Sequence, residues 1–180
     1  MPAGADGLLF LPYLDGRILP SEPAMRGTWL GLHRRHGRAH LARAVLEGVA
    51  FAYRGYLELL AELHGDLDFA EARVAGGGAR SATWNQLKAS ALGVRYTRLQ
   101  RSELSCWGAA LVAGAAVGVF DDLASAAEAG APHAGVVEPV AADYETYVRL
   151  HAVHRAFEAA VAEPSRALDQ LLTDSQEVPA

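Results

Sequence analysis

The sequence is poor in cysteine, in long apolar runs and in basic charge. Cys106 is the single cysteine among 180 residues, so no disulfide can form within the chain, and without a secretory signal pattern this composition predicts a cytoplasmic protein. The most apolar window, residues 106–120, is shorter than the roughly 20 residues that a membrane-spanning helix needs, and it predicts a buried helix instead. The 16 basic residues are outnumbered by 21 acidic ones and are scattered, which argues against nucleic acid as a partner.

Strand patterns are few. Short apolar runs predict strands at residues 8–14, 72–75 and 94–99. Because they alternate with helical patterns, the sequence predicts an α/β layered domain. Three strands alone would leave unpaired sheet edges, so the sheet is predicted to be incomplete.

Helical patterns fill most of the remaining chain. Apolar residues recur at helical spacing over residues 38–63, and Gly65 follows. Pro164 is predicted to interrupt the last helix, a loop is predicted through Pro139, and residues 173–180 are predicted to form a flexible tail. The other predicted helices cover residues 82–92, with Ser81 as N-cap and Gly93 as stop, residues 102–117, with Ser102 as cap, residues 122–129 and residues 143–162.

Three consecutive glycines, at residues 76–78, lie between a predicted strand and a predicted helix. At such a turn the backbone can pass close to a flat or anionic ligand, and the following helix N-terminus offers N–H groups with partial positive charge. The run lacks the Lys-Ser/Thr ending of a P-loop and the G-x-G-x-x-G spacing of a dinucleotide site. On spacing alone, a structural tight turn and a ligand site both stay open.

Several segments, in order along the chain, resemble the carbohydrate kinases of the FGGY type, and within them the xylulokinase-like branch. The family's sugar-kinase loop is similar to residues 7–14 (GLLFLPYL) and 20–27 (PSEPAMRG). The start of its long helix resembles residues 38–50 (RAHLARAVLEGVA), its adenosine motif resembles residues 76–86 (GGGARSATWNQ), and the following helix resembles residues 107–110 (WGAA).

The resemblance implies a partial C-terminal, nucleotide-binding domain over residues 1–172, with an actin-like ATPase (ribonuclease H-like) α/β fold and an incomplete sheet flanked by helices. It also implies ATP with Mg²⁺ as cofactor of the complete enzyme. Ala82 stands where some relatives carry an asparagine, and Asn85 is the candidate substitute. The implied nucleotide-binding residues are Gly76, Gly77, Gly78, Ala79, Ser81 and Asn85.

Three motifs that the resemblance implies do not occur in these 180 residues: an Asp-x-Gly-Thr phosphate loop, the aspartate that accepts the sugar proton, and a Gly-Thr-Ser-Gly phosphate turn. Phosphoryl transfer depends on positioning and charge neutralisation, so the chain alone is predicted to be inactive, with no catalytic residue and no metal site. The resemblance implies the ATP-binding part of a kinase for a pentulose such as D-xylulose, with the sugar bound only when an N-terminal domain is present. A homodimer or a partner chain stays open, and the alternative function is a non-catalytic binding or assembly module.

The histidines are predicted to be structural. His36 and His40 have the i, i+4 spacing of a metal site, but Gly37 lies between them and no third ligand is apparent, so surface or capping roles are favoured. His151 and His154 are predicted to be half-exposed residues of the last helix.

Two further side chains stand out. Glu47 breaks the apolar face of the long helix and is predicted to pair with Arg26 or to support the phosphate turn. Cys106 has no recognisable catalytic partner and is predicted to be a buried, inert thiol.

Overall fold

The computed structural model describes residues 1–65, 67, 69–100 and 103–176. Within them, the α-helices are α1 (Arg38–His64), α2 (Ala82–Leu92), α3 (Leu104–Ala116), α4 (Leu123–Gly130) and α5 (Ala141–Gln176). The strands are β1 (Leu9–Leu11), β2 (Thr28–Leu30), β3 (Glu71–Val74), β4 (Arg95–Leu99) and β5 (His133–Val137). The chain divides into two compact units: unit 1 is Met1–Leu67 with Ala141–Ala180, and unit 2 is Asp68–Val140.

Unit 1 is built from a two-stranded antiparallel sheet and two long helices. β1 pairs with β2, with Phe10 opposite Trp29. Helix α1 approaches β1 so closely at Gly48 that an added Cβ would clash with the carbonyl oxygen of Phe10. The largest fully buried apolar side chains of the described residues all lie in this unit: Tyr147, Phe51, Leu8, Leu11 and Met25.

Unit 2 contains a three-stranded mixed sheet in the order β3-β4-β5. β3 and β4 are parallel, whereas β5 runs antiparallel to β4, with a register shift between Arg98 and Leu99. Helix α2 packs against β4, and α3 packs against α4. The carboxyl ends of β3 and β4 therefore lie side by side at one edge of the sheet.

The predicted boundaries of α2 are confirmed. The Ser81 Oγ accepts a hydrogen bond from the Trp84 N–H at 3.2 Å, and Gly93 ends the helix with φ 71°. The Ser81 side chain pairs a backbone N–H group that the helix itself leaves unpaired, and Gly93 adopts the left-handed conformation that ends the helix. The long helix α1 also matches its predicted range and ends before Gly65.

Two strands were not predicted from the sequence. β2 lies in a stretch for which the sequence predicted neither a strand nor a helix, and β5 lies in the segment that was predicted as a loop up to Pro139. β2 is only three residues long, and β5 contains Gly135, so neither carries a clear local strand pattern. Each of these strands pairs with the free edge of a neighbouring strand. The first predicted strand, β1, pairs with β2 and does not join the sheet of β3 and β4.

The prediction that Pro164 interrupts the last helix is wrong, because α5 continues to Gln176. Contacts on both sides of the proline hold the helix in register: Phe157 and Val161 pack on the cluster of Leu11, Tyr13 and Met25, and beyond the proline Arg166 pairs with Glu22. The helix also runs past Thr173, where a tail was predicted, and residues 177–180 lie outside the described residues. Tertiary packing therefore overrides the cost of a proline within a helix.

Helix α3 is present but not buried as predicted. Leu111 is its buried residue, whereas Val112 is 63% exposed. The helix starts after Glu103, and the predicted cap Ser102 lies outside the described residues. Among the helices of the described chain, none combines the length and the apolar character needed to cross a membrane.

Candidate functional site

The glycine turn follows β3 directly and leads into α2. Gly76 has φ 78° and ψ −170°, a backbone conformation that favours glycine, and residues 77–80 form a single 3-10 turn. The Ala79 N–H donates to the Gly76 carbonyl at 3.2 Å, and the Ser81 N–H donates to the Gly78 carbonyl at 3.3 Å. The turn is therefore shaped by its own backbone.

The outer side of this turn is open at Gly77. An added Cβ at Gly77 would meet no atom within 4 Å, and one at Gly78 would meet only the Trp84 ring, at 3.6 Å. Ala79, in contrast, is 4% exposed and anchors the turn to the unit. This leaves a strip of bare backbone against which a flat ligand could lie.

Ser81 and Asn85 hold the turn in place through hydrogen bonds. Asn85 is 4% exposed, and its Nδ2 donates to the Ala79 carbonyl at 2.7 Å. Its Oδ1 is buried and has no hydrogen-bond partner within the described part of the chain. Because the Ser81 side chain caps α2 and the Asn85 amide holds Ala79, both shape the turn rather than its open face.

A second support is the cation of Lys88, which lies 4.9 Å from the Trp84 ring centroid and 5.2 Å from that of Tyr96. Burial lowers the pKa of Lys88. The two aromatic faces stabilise the ammonium by cation–π attraction and fix Trp84 beside Gly78. Helix α2, β4 and the turn are thus joined by one cluster.

A cavity of about 490 Å³ adjoins the turn at the carboxyl ends of β3 and β4. This volume is in the range typical of small-molecule sites. Of the predicted site residues, Gly76 and Ala79 line it. The other residues that it exposes to a ligand include Arg80, Arg98, Gln100 and His133.

These four lining residues were missed by sequence reasoning. The signal for Arg98 and Gln100 was available, because the carboxyl ends of neighbouring parallel strands meet at one sheet edge and ligands bind there. His133 could not be placed, since it belongs to the unpredicted strand β5.

Residues 2–117 match the family model described as "FGGY family of carbohydrate kinases, C-terminal domain". The chain belongs to the FGGY family of carbohydrate kinases. The α/β architecture of small sheets flanked by helices agrees with the fold predicted for an FGGY C-terminal domain, that of the actin-like ATPases.

The similar proteins include xylulose kinases. The alignment of this chain with the xylulose kinase of Bacillus subtilis (strain 168) is 31% identical over 156 residues, and it covers 86% of this chain and 31% of that protein. The chain is 36% identical over 126 residues to the L-xylulose/3-keto-L-gulonate kinase of Escherichia coli (strain K12), covering 70% of this chain and 24% of that one. The crystal structure of ligand-bound xylulose kinase from Lactobacillus acidophilus superposes with a TM-score of 0.79 at 29% identity, covering 89% of this chain and 32% of that chain. The chain thus spans about a third or less of the length of these relatives.

In this FGGY chain, Glu47 is a buried structural carboxylate. Its Oε1 accepts hydrogen bonds from the Gly4 N–H at 2.9 Å, from Arg43 Nε at 2.7 Å and from the Tyr147 hydroxyl at 3.0 Å. The predicted pair with Arg26 is wrong, because Arg26 pairs with Asp169. Burial, followed by the charge of Glu47, raises the pKa of Tyr147.

The two histidines of α5 are buried, not half-exposed as predicted. His151 is 5% exposed and His154 is 1% exposed, and each ring lies within 6 Å of the Phe51 ring centroid. Burial lowers the pKa of His151 to about 4 and also lowers that of His154. They belong to the core of unit 1.

His40 has the predicted capping role. Its Nδ1 accepts from the Gly37 N–H at 3.1 Å, and its Nε2 lies 3.0 Å from the Asp6 carboxylate. Within the described ranges, no cluster of three or more potential ligands could hold a metal ion. The prediction of a buried thiol is wrong, since Cys106 is exposed near the start of α3.

Proposed function

We propose that this chain forms the adenosine-binding side of the ATP site in a sugar kinase that phosphorylates a pentulose such as D-xylulose. The observation that carries the proposal is the open backbone at Gly77, beside a cavity of about 490 Å³, in a chain of the FGGY family. The pentulose is supported by the xylulose kinases among the similar proteins.

The proposed nucleotide contacts follow from the turn. The bare backbone of Gly77 and Gly78 lies against the adenosine, while Gly76 gives the turn its shape. Ala79 lies in the 3-10 turn and Ser81 caps helix α2 after it, and the N-terminus of that helix favours negative charge. Asn85 acts through Ala79, because its amide holds that carbonyl.

The rest of the reaction needs groups that these 180 residues do not contain. The sequence has neither of the two phosphate motifs of the family resemblance and no assigned proton acceptor. Among the described lining residues of the cavity beside the turn, none is a carboxylate that could hold Mg²⁺. We therefore expect the chain alone to bind nucleotide without phosphorylating a sugar.

Calorimetric titration of the chain with ADP and with ATP tests the proposal. Gly77→Ala places a methyl group on the open backbone without a clash inside the protein, and Gly77 is not in the left-handed region. We expect ADP affinity to fall roughly tenfold, as one blocked contact face would cost.

Gly108→Ala is the matched control, because an added Cβ there also meets no atom within 4 Å. It should leave nucleotide affinity unchanged. If the parent chain binds neither nucleotide at millimolar concentration, the proposed site is wrong for this chain. If it binds, but both variants keep the parent affinity, the adenosine does not lie at Gly77.

A further inference from the structure

The four arginines of unit 2 within the described residues fall into two classes. Arg73 pairs with Glu71 at 3.7 Å, and Arg95 pairs with Glu138 at 2.7 Å. Arg80 and Arg98 have no carboxylate within ion-pair distance in the part of the chain that the structure describes. Both line the cavity next to the glycine turn.

The cavity itself has no acidic lining. Among its described lining residues, none is an aspartate or a glutamate, whereas two arginines are present. The neighbouring cavity of unit 2, of about 550 Å³, differs because Glu128 lines it together with the paired Arg73. Uncompensated positive charge is thus a property of the cavity at the turn.

Arg98 is held at this wall by the sheet. It stands in register with Val74 on β3 and with Gly135 on β5, next to the register shift of β4. Its Nη2 donates to the Ala134 carbonyl at 3.3 Å, which fixes the guanidinium at the start of β5. A guanidinium has five N–H donors in a rigid fork, so this contact leaves donors for another acceptor.

Arginine forks match the geometry of phosphate oxygens, and concave surfaces of one charge sign concentrate counter-ions. We propose that this cavity is a subsite for a phosphoryl anion, with Arg80 and Arg98 as its hydrogen-bond donors. The phosphoryl group comes either from the nucleotide itself, in which case the inference rests on the proposed function, or from a free phosphate compound. Both sources need the same two guanidinium groups.

The test titrates the full chain with three probes: pyrophosphate, adenosine and ADP. Arg98→Gln and Arg80→Gln each remove one donor fork, and Arg95→Gln is the matched control, since it removes the same charge from the same strand outside the cavity. Loss of one arginine–phosphate contact should weaken binding about tenfold. Circular dichroism melts confirm that each variant is folded, and Arg80→Gln, in the exposed turn, covers the case in which Arg98→Gln unfolds.

The outcomes separate the two sources. If the cavity variants weaken the binding of ADP but not that of adenosine, the nucleotide supplies the phosphoryl group. If they weaken the binding of pyrophosphate and leave the binding of ADP unchanged, a free phosphate compound supplies it. The inference is overturned if the cavity variants and Arg95→Gln affect every probe equally, or if the parent binds neither pyrophosphate nor ADP. Failure of the parent to bind adenosine and ADP while it binds pyrophosphate defeats only the proposed function.

Discussion

Unit 1 fills its interior with its own large side chains, whereas unit 2 leaves its most apolar helix exposed. Tyr147 and Phe51 are fully buried in unit 1, and their rings pack edge to face with the centroids 5.8 Å apart. In α3 of unit 2, Leu111 is buried while Val112 is 63% exposed and the cap residue Val117 is 78% exposed. The mean hydropathy of a segment therefore does not say whether the segment is buried.

The difference has an energetic consequence. Burial of apolar area is the main stabilising term, so unit 1 gains its stability from contacts that the chain itself provides. A helix of small residues such as α3 buries little area unless another surface covers it. Substitutions inside unit 1 should thus cost much more than substitutions on the exposed face of α3.

The largest effect is expected for Glu47→Gln. The side chain is 1% exposed and accepts three hydrogen bonds, so losing its charge leaves the Arg43 cation without its counter-charge in a mostly buried site. Breaking a buried ion pair costs about 3 kcal/mol, and we expect that decrease in the unfolding free energy from urea titration.

The control lies on the same helix with the same spacing. Glu58 pairs with Arg54 at 3.3 Å but is 46% exposed, so Glu58→Gln should change the unfolding free energy by less than about 0.5 kcal/mol. If the two variants lowered the unfolding free energy equally, the carboxylate of Glu47 would not be buried in solution.

How far the sequence predicted the fold depended on whether a signal was local. α1 and α2 carry their own apolar periodicity and end signals, and both were predicted within a residue. β2, β5 and the helical course through Pro164 depend on partners distant in the chain, which a local pattern does not contain.

The candidate site shows the same division. The glycine turn was visible because glycines between a strand and a helix have a local meaning. The contact of Asn85 with Ala79 and the place of His133 at the cavity were not visible, since one depends on the fold of the turn and the other on the unpredicted strand β5. Burial of His151 and exposure of Cys106 likewise depend on packing rather than on neighbouring residues.

The second prediction concerns acid. The pKa of His151 is lowered to about 4 by burial, whereas in the unfolded chain it is near the ordinary value of 6.5. Between these two pKa values the unfolded state therefore binds more protons than the folded state. The contribution of neutral His151 to the stability of unit 1 is fully present above about pH 6.5 and is lost as the pH falls towards 4. At about pH 4.5 we expect a loss on the order of 2 kcal/mol from this group alone.

The stability of unit 2 should begin to fall at a lower pH than that of unit 1. Its shifted acids, Glu71 and Asp122, have lowered pKa values, so their contribution is lost only below the ordinary range of carboxyl groups. Urea titrations at about pH 7 and about pH 4.5 can follow unit 1 through Trp29 in a chain that carries Trp84→Phe and Trp107→Phe. His151→Phe should reduce the pH dependence, and an unchanged slope would assign the acid sensitivity to other groups.

The smallest effect is expected on the exposed face of α3, and two adjacent positions sharpen the comparison. Leu111 is 5% exposed, so Leu111→Ala should cost about 2 kcal/mol through lost burial and a residual cavity. Val112→Lys places a charge where the side chain already meets water, and we expect a change within about 0.5 kcal/mol in urea titrations of the chain. A loss of similar size at both positions would mean that the outer face of α3 is covered in solution, and the contrast between the two units would no longer hold.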